Sequence, residues 1–310
     1  MSQNNKDYYD LVIIGAGIAG MTGALYAARA KLHFLILEKQ FYGGQGNLTH
    51  RIENFPGFKS ISGSELMQNI HDQLNYFGVS IRSEEVVAID SFKENVLVKT
   101  TGASFESKFV IMATGATHKT LSIPGEKEFT GRGVSYCGTC DAPFFSQKNV
   151  VVIGGGNTAL EEALFLAKFA EQVTIIHRRN SLRGLKILED EARRNSKISF
   201  IFNTIIKEIH GSDTVERVIL EDLVKKRTFS LKTDGVFVFI GYCPQTNILK
   251  DIVSRDDSGY IITNDTLESS HPRILAAGDA RSNPLKQLIT AAADGAIAAY
   301  SVIKKITGYY

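Results

Sequence analysis

Two cysteines spaced by two residues, Cys137 and Cys140, stand directly before an aspartate in SYCGTCDAPFF, Ser135 to Phe145. A C-x-x-C can be half of a metal site, a redox dithiol, or two small buried hydrophobes. Ligand arithmetic argues against zinc, and no metal is expected. A structural zinc takes four protein ligands, whereas the one further cysteine, Cys243, has no partner motif and the seven histidines form no H-x₃₋₅-H pair. Cys243 itself reads as a small, semi-buried residue. Asp141 offers a carboxylic acid beside the pair, suited to moving the protons that thiol–disulfide exchange requires. Its plainer reading is a helix N-cap, a common place for aspartate.

A second kind of chemistry lies in the glycines. Within DLVIIGAGIAGMTGALYAARAKLHFLILEK, Asp10 to Lys39, the apolar run Leu11 to Ile14 reads as a buried strand. Gly15, Gly17 and Gly20 follow as G-x-G-x-x-G, then a helix from Met21 to Ala30 and a second strand, Phe34 to Leu37, that ends at Glu38. Such a turn lets a pyrophosphate approach the backbone at a helix N-terminus, and an acid at the end of the second strand accepts hydrogen bonds from a ribose diol. A shift of 139 positions carries this unit without a gap onto VVVIGGGNTALEEALFLAKFAEQVTIIHRR, Val150 to Arg179. Gly15 falls on Gly154, Gly17 on Gly156, and Gly20 on Ala159, an allowed third residue. Glu38 falls on His177, with Arg178 and Arg179 behind it. A carboxylate suits a free 2′-hydroxyl, whereas a row of cations suits a 2′-phosphate.

Two such turns call for two dinucleotide domains, and the elements between them must be shared out. Strands are expected at Asn95 to Thr100 and at Phe105 to Met112. A hairpin is expected over Glu216 to Asp222 and Arg227 to Lys232, before a strand from Gly235 to Gly241. His118 to Glu126, broken by Pro124-Gly125, reads as a crossing, and Gly241 to Asn247 as the return. The tail, with a strand in Arg273 to Ala280 and an alanine-rich helix from Gln287 to Ile306, is too small to stand alone and should close the first domain. The expected fold is therefore α/β with two Rossmann-like, three-layer ββα domains, the second inserted into the first. Residues 1–117 and 248–310 make one, and 118–247, with the C-x-x-C, the other.

Composition bounds the partners. A formal net charge of +2 gives no reason to expect nucleic acid or an anionic membrane surface. No apolar run reaches the roughly 18 residues of a membrane span, and MSQNNKDYYD lacks a signal peptide's apolar stretch, so a cytoplasmic protein is expected. In that reducing setting a C-x-x-C is expected to be catalytic or metal-binding rather than a permanent staple, and with zinc disfavoured the catalytic reading gains.

Together these residues resemble the low-molecular-weight thioredoxin reductases over essentially the whole chain. The resemblance rests on GAGIAG with Glu38, GGQ at Gly43 to Gln45, ENFPG at Glu53 to Gly57, ATGA at Ala113 to Ala116 and IPGE at Ile123 to Glu126. It continues through CGTCDAPFF, GGGNTALEEA, HRRNSLR at His177 to Arg183 and GDARSNPLKQLITAAADG at Gly278 to Gly295. C-x-x-C-D just before the second unit, followed by H-R-R-x-x-x-R, is the narrowest of these. The resemblance implies FAD on the first domain, held by Gly15, Gly17, Ala19, Gly20, Glu38, Gly44, Gln45, Asn54, Thr114 and Gly115, with Gly278, Asp279, Lys286, Gln287 and Leu288. It implies NADPH on the second, held by Gly154, Gly156, Asn157, Thr158, His177, Arg178, Arg179 and Arg183. It also implies electron transfer from NADPH through FAD to the Cys137–Cys140 pair and on to thioredoxin or a thioredoxin-like protein. In that scheme Cys140 meets the flavin, Cys137 attacks the partner, Asp141 moves protons, and the enzyme is a homodimer. The sequence departs from the common pattern at Asn157-Thr158, Lys286 and Gly46. A dithiol oxidase or a ferredoxin-fed reductase would keep flavin and dithiol, yet neither needs a 2′-phosphate pocket. A non-catalytic flavin-binding sensor would leave Asp141 and the second nucleotide turn without a role.

Overall fold

The computed structural model describes residues 8–49, 52 and 54–308, with the side chains of Leu48, Thr139 and Cys140 outside that description; Glu53 of ENFPG also lies outside it. The chain divides into two compact units, Met1–Thr117 with Cys243–Tyr310, and His118–Tyr242.

The first unit runs β1 (Tyr8–Ile14), α1 (Ile18–Arg29), β2 (Phe34–Glu38), α2 (Gly63–Tyr76), β3 (Ile81–Ser83), β4 (Val86–Ser91), β5 (Val96–Thr100), β6 (Ser104–Met112) and β7 (Ala116–His118). The second holds β8 (Val134–Ser135), α3 (Gly138–Asp141), β9 (Asn149–Gly154), α4 (Asn157–Leu166), β10 (Gln172–Ile176), α5 (Lys186–Arg194), β11 (Ile198–Ile201), β12 (Thr204–Gly211), β13 (Val215–Asp222), β14 (Arg227–Lys232) and β15 (Gly235–Phe239). The chain returns through β16 (Tyr242–Pro244) to β17 (Ile274–Ala276) and α6 (Leu288–Thr307).

In the first unit β3, β2, β1 and β6 lie parallel in that order. β17 continues the parallel sheet along the carboxyl half of β6, from Val110 to Met112, while the antiparallel β4–β5 hairpin takes its amino half. Alternate residues of β1 then serve two cores. Leu11 and Ile13 pack with α1, α2 and α6, and Val12 and Ile14 with the hairpin side. Burying each such branched side chain contributes about 1.5–3 kcal/mol. The tail accordingly completes this unit, since β17 and α6 have their partners there.

The second unit repeats the plan. β11, β10, β9, β15 and β8 form a parallel sheet. Val150 and Val152 face α4 and α5, while Val151 and Ile153 face the antiparallel β12–β13–β14 sheet. The β13–β14 hairpin occupies the expected residues, and β12 is a third strand that sequence reasoning did not include. The return boundary lies at Tyr242/Cys243 rather than after Asn247. Gln245 N donates to Gly115 O at 3.0 Å and Thr246 Oγ1 to Gly259 O at 2.6 Å, which ties these residues to the first unit. β7 and β16, the two crossing strands, pair with each other. Cys243 is exposed and free rather than semi-buried: in the two-stranded ribbon that β16 forms, Tyr242 and Cys243 are both exposed and Pro244 is buried.

Candidate functional site

The glycine turn of the first unit shows why each glycine stands where it does. Gly15 has φ 100°, and a Cβ there would strike the Ala113 carbonyl. A Cβ on Gly20 would strike the Gly15 carbonyl, so helix and strand could not close. Gly17, the N-cap of α1, faces open space instead, as a backbone approached by a ligand must. Glu38, at the end of β2, accepts the Ala16 N–H through Oε2 at 2.8 Å and the Gln40 N–H through Oε1 at 3.0 Å. Its carboxylate therefore lies at the turn.

Contacts within the unit gather the other residues assigned to FAD. Gly43 N donates to Ala16 O at 2.7 Å and brings the Gly44-Gln45 turn alongside, and Gln45 Nε2 donates to Ala116 O at 3.3 Å. Gly15 packs on Ala113 and Thr114, and Gly115 follows with φ 64°. Thr114 Oγ1 donates to Gln245 O at 2.7 Å, and Ala19 packs against Gly278. Asn54 Nδ2 reaches Gln287 Oε1 at 3.1 Å, just before Leu288 opens α6. The buried Lys286 ammonium has no hydrogen-bond partner among the described residues and lies 3.6 Å from the centre of the Tyr260 ring. Burial pushes Lys286 down from the ordinary lysine range, against the pull of Asp279, while burial pushes Asp279 up. An orphaned buried ammonium beside an acid, and a glycine turn with open space over Gly17, both fit an anionic, hydrogen-bonding ligand such as FAD.

Sequence reasoning missed the clamp under this turn. Asp294 of α6, 4% exposed, accepts the Gly278 N–H at 3.1 Å and two Arg281 N–H groups at 2.7 and 3.0 Å. The available signal was an acid on the inward face of an alanine-rich helix.

In the second unit Gly156, the N-cap of α4, again faces open space, and a Cβ on Gly154 would strike the Phe239 carbonyl. Thr158 is exposed in the first turn of α4. Asn157 is exposed too, but its Oδ1 accepts the Leu185 N–H at 2.7 Å. Arg183 N and Gly184 N donate to Gly155 O at 2.7 and 3.1 Å, so the loop after β10 folds back over the glycines. Arg178, Arg179 and Arg183 are exposed cations. His177 departs from the expected row of positive charges. It is 5% exposed, its ring fills the place of a Gly155 side chain, and its Nε2 has no partner among the described residues. Burial first, then the charge of Arg183, lowers its pKa below the ordinary histidine value, so it is neutral at pH 7. Exposed guanidinium groups at the end of β10 fit a 2′-phosphate; the imidazole contributes no charge to them.

At the C-x-x-C, Cys137 is half-buried and disulfide-bonded. Ser135 Oγ accepts the Cys137 N–H at 3.1 Å and donates to Cys137 O at 3.2 Å, which fixes the entry to α3. Cys140 lies in α3, and its side chain is outside the described atoms. Asp141 occupies the N-cap of the short 3₁₀ turn Ala142–Phe145 but makes no capping hydrogen bond with its side chain, so the plainer reading of this acid loses its support. The Glu162 carboxylate of α4 packs where a Gly138 side chain would be, a second acid at this motif that the sequence reading passed over.

Comparison with known proteins agrees with this arrangement. Residues 9–295 match the pyridine nucleotide-disulphide oxidoreductase family. The chain is 44% identical to the thioredoxin reductase of Peptoclostridium acidaminophilum over 97% of this chain and 98% of that one. It is likewise 44% identical to that of Bacillus subtilis, over 96% and 95%. Among solved structures, the thioredoxin reductase of Lactococcus lactis superposes with a TM-score of 0.83 at 39% identity, covering 97% of this chain and all of that one.

Proposed function

The chain belongs to the pyridine nucleotide-disulphide oxidoreductases, among the thioredoxin reductases, and from that premise we propose how its own residues divide the work. Thioredoxin reductases of this family use FAD and NADPH. The first unit, through Gly15 to Gly20, Glu38, Gly44, Gln45, Asn54 and the Lys286-Gln287-Leu288 turn, holds FAD. The second, through Gly154 to Thr158, Arg178, Arg179 and Arg183, holds NADPH in preference to NADH, because guanidinium forks match a 2′-phosphate that NADH lacks. His177 shapes the turn from beneath.

Bound FAD supplies a two-electron relay between nicotinamide and sulfur chemistry. The chain's residues do the rest. With the Cys137–Cys140 pair reduced, the Cys137 thiolate attacks one sulfur of the thioredoxin disulfide and a mixed disulfide forms. Cys140 then attacks Cys137, which restores the intramolecular disulfide and releases thioredoxin as a dithiol. Asp141 delivers protons to the leaving sulfurs and takes them back. The observation that most supports this is the disulfide-bonded, half-buried Cys137 one turn before an acid whose carboxylate is not spent on a helix cap. A cytoplasmic homodimer with thioredoxin as protein partner completes the reading.

Stopped-flow spectroscopy tests it. NADPH should bleach the flavin of the FAD-loaded protein, and oxidised thioredoxin should restore it. Flavin that NADPH leaves oxidised, or that stays reduced when thioredoxin is added, overturns the assignment.

A further inference from the structure

The second unit contains a cavity of about 120 Å³ lined by His118, Tyr136, Gly156, Thr158, Arg183 and Tyr242. Its position relative to the sheet is informative. β9 has β10 on one side and β15 on the other. A dinucleotide on such a sheet lies across the carboxyl ends of the strands, with its pyrophosphate over the glycine turn. Arg178 and Arg179 follow β10 and mark that side for the adenosine half. The cavity lies on the opposite side, among residues that follow β15, where the other half of the molecule must go.

Two of its walls belong to neither the glycine turn nor the basic cluster. The His118 and Tyr136 rings stack with centroids 3.7 Å apart and planes 17° from parallel. The Tyr136 hydroxyl donates to Glu126 Oε1 at 2.9 Å. The Glu126 carboxylate, on a residue 4% exposed, also accepts the Leu121 and Ser122 N–H groups at 2.7 and 2.6 Å. The tyrosine is thus held at its hydroxyl end by a buried acid and covered on one face by the imidazole. Burial keeps His118 below the ordinary histidine pKa, so at neutral pH it presents a flat uncharged ring and no counter-charge for phosphate.

Resting on the NADPH reading above, we propose that the His118–Tyr136 stack is a wall of the pocket for the nicotinamide half of the dinucleotide and fixes where that half sits. Thr158, on the same cavity, supplies a polar side, and Arg183 lines it where it meets the basic cluster.

Calorimetric titration of the FAD-loaded protein separates the two halves. One ligand is NADP⁺; the other is 2′,5′-ADP, which keeps the adenosine and the 2′-phosphate and lacks the nicotinamide. His118→Ala should weaken NADP⁺ about tenfold, the size of one lost aromatic contact, and leave 2′,5′-ADP unchanged. His118→Phe, which retains a stacked ring, should recover most of the loss. Unchanged 2′,5′-ADP binding doubles as proof that the variant is folded, and His118, being half-exposed, can be truncated without touching the Tyr136–Glu126 bond. NADP⁺ affinity equal to that of the unmodified protein overturns the proposal. So does an equal loss for both ligands, which would make the stack a support of the whole unit. Unmodified protein that binds neither ligand overturns the NADPH reading instead.

Discussion

After β1 the chain turns through Gly15 and Gly17 into α1, and after β9 it turns through Gly154 and Gly156 into α4. Each helix opens on a glycine with extended backbone, Gly17 at φ −70°, ψ −178° and Gly156 at φ −96°, ψ −177°. The register shift of 139 positions that aligns the sequences also aligns the first helical residues, Ile18 and Asn157. What differs is how the end of the second strand closes over the turn. In the first unit Glu38 reaches back and accepts the Ala16 N–H. In the second, the residue in the same register, His177, lays its ring against Gly155, the counterpart of Ala16. Ala16 can carry a methyl group because a carboxylate at hydrogen-bond distance leaves room for it; Gly155 cannot, because the imidazole is already there. In the proposed assignment one turn offers its own acid to a ribose, whereas the other uses a neutral ring as packing and leaves recognition to the exposed arginines beyond it. A shared backbone turn is thus closed in two ways, through a correlated exchange of Ala/Glu for Gly/His.

If both turns only bind and orient, the largest single loss must lie outside them. Cys137→Ser and Cys140→Ser are each expected to lower thioredoxin reduction by roughly a thousandfold or more, while NADPH still bleaches the flavin. The two should part at a finer step. Cys140→Ser should trap a mixed disulfide with a thioredoxin that lacks its resolving cysteine, and Cys137→Ser should not; trapping by both or by neither would refute the division of labour between the sulfurs.

Next in size is the second turn's basic wall. Each charge-assisted contact is worth about 1.5–3 kcal/mol, so Arg178→Ala with Arg179→Ala should cut kcat/KM for NADPH by roughly tenfold to several thousandfold. NADH kinetics should barely change. Equal losses with both cofactors would show that the arginines hold the loop and do not read the 2′-phosphate. The first turn's counterpart is Glu38→Ala, expected to weaken FAD by about tenfold to a hundredfold on the same scale, read from flavin release on dilution. Unaltered FAD retention would leave the Glu38 carboxylate with only its backbone partners.

The extent to which all this could be read from the sequence follows the same contrast. Strand, glycine turn and helix were legible twice over because alternating burial and backbone crowding act on residues close in sequence. The register even located His177. Its role was not legible, since whether a side chain at the end of β10 faces solvent or packs beneath Gly155 depends on a loop that folds back through Arg183 and Gly184. The Asp294–Arg281 clamp and the Glu162 carboxylate against Gly138 escaped for a similar reason: each joins side chains of separate elements, which the periodicity of a single element does not reveal. β12 was missed because its pairing with β13 shifts register at two places, between Ile206 and Glu208 and between His210 and Gly211, which blurs the period-two pattern.

A smaller effect tests the packing itself. Gly155→Ala should destabilise the second unit by about 1–3 kcal/mol, the usual cost of overfilling a packed site, seen as an earlier thermal transition. Adding His177→Ala should recover part of it, because the imidazole is what the new methyl group meets. Strict additivity of the two substitutions would mean that ring and glycine do not compete for one space.

The smallest predicted effect is a slope. Burial lowers the His177 pKa in the folded protein below the 6.5 of the free side chain. At pH 7 and above, folded and unfolded chains both hold this ring neutral, and no stability is at stake. As pH falls through 6.5 the unfolded chain takes up the proton first, so folding must exclude it and stability declines until the folded pKa is reached. His118 and His271 are shifted in the same direction by burial and add to the slope, so subtraction is required. Tm measured from pH 7.5 down to 5 should fall less steeply in His177→Asn than in the parent, with the two curves running parallel above pH 7. Identical slopes at every pH would show that His177 is protonated equally well in both states, and that the ring beneath the second turn is as open to water as the carboxylate beside the first.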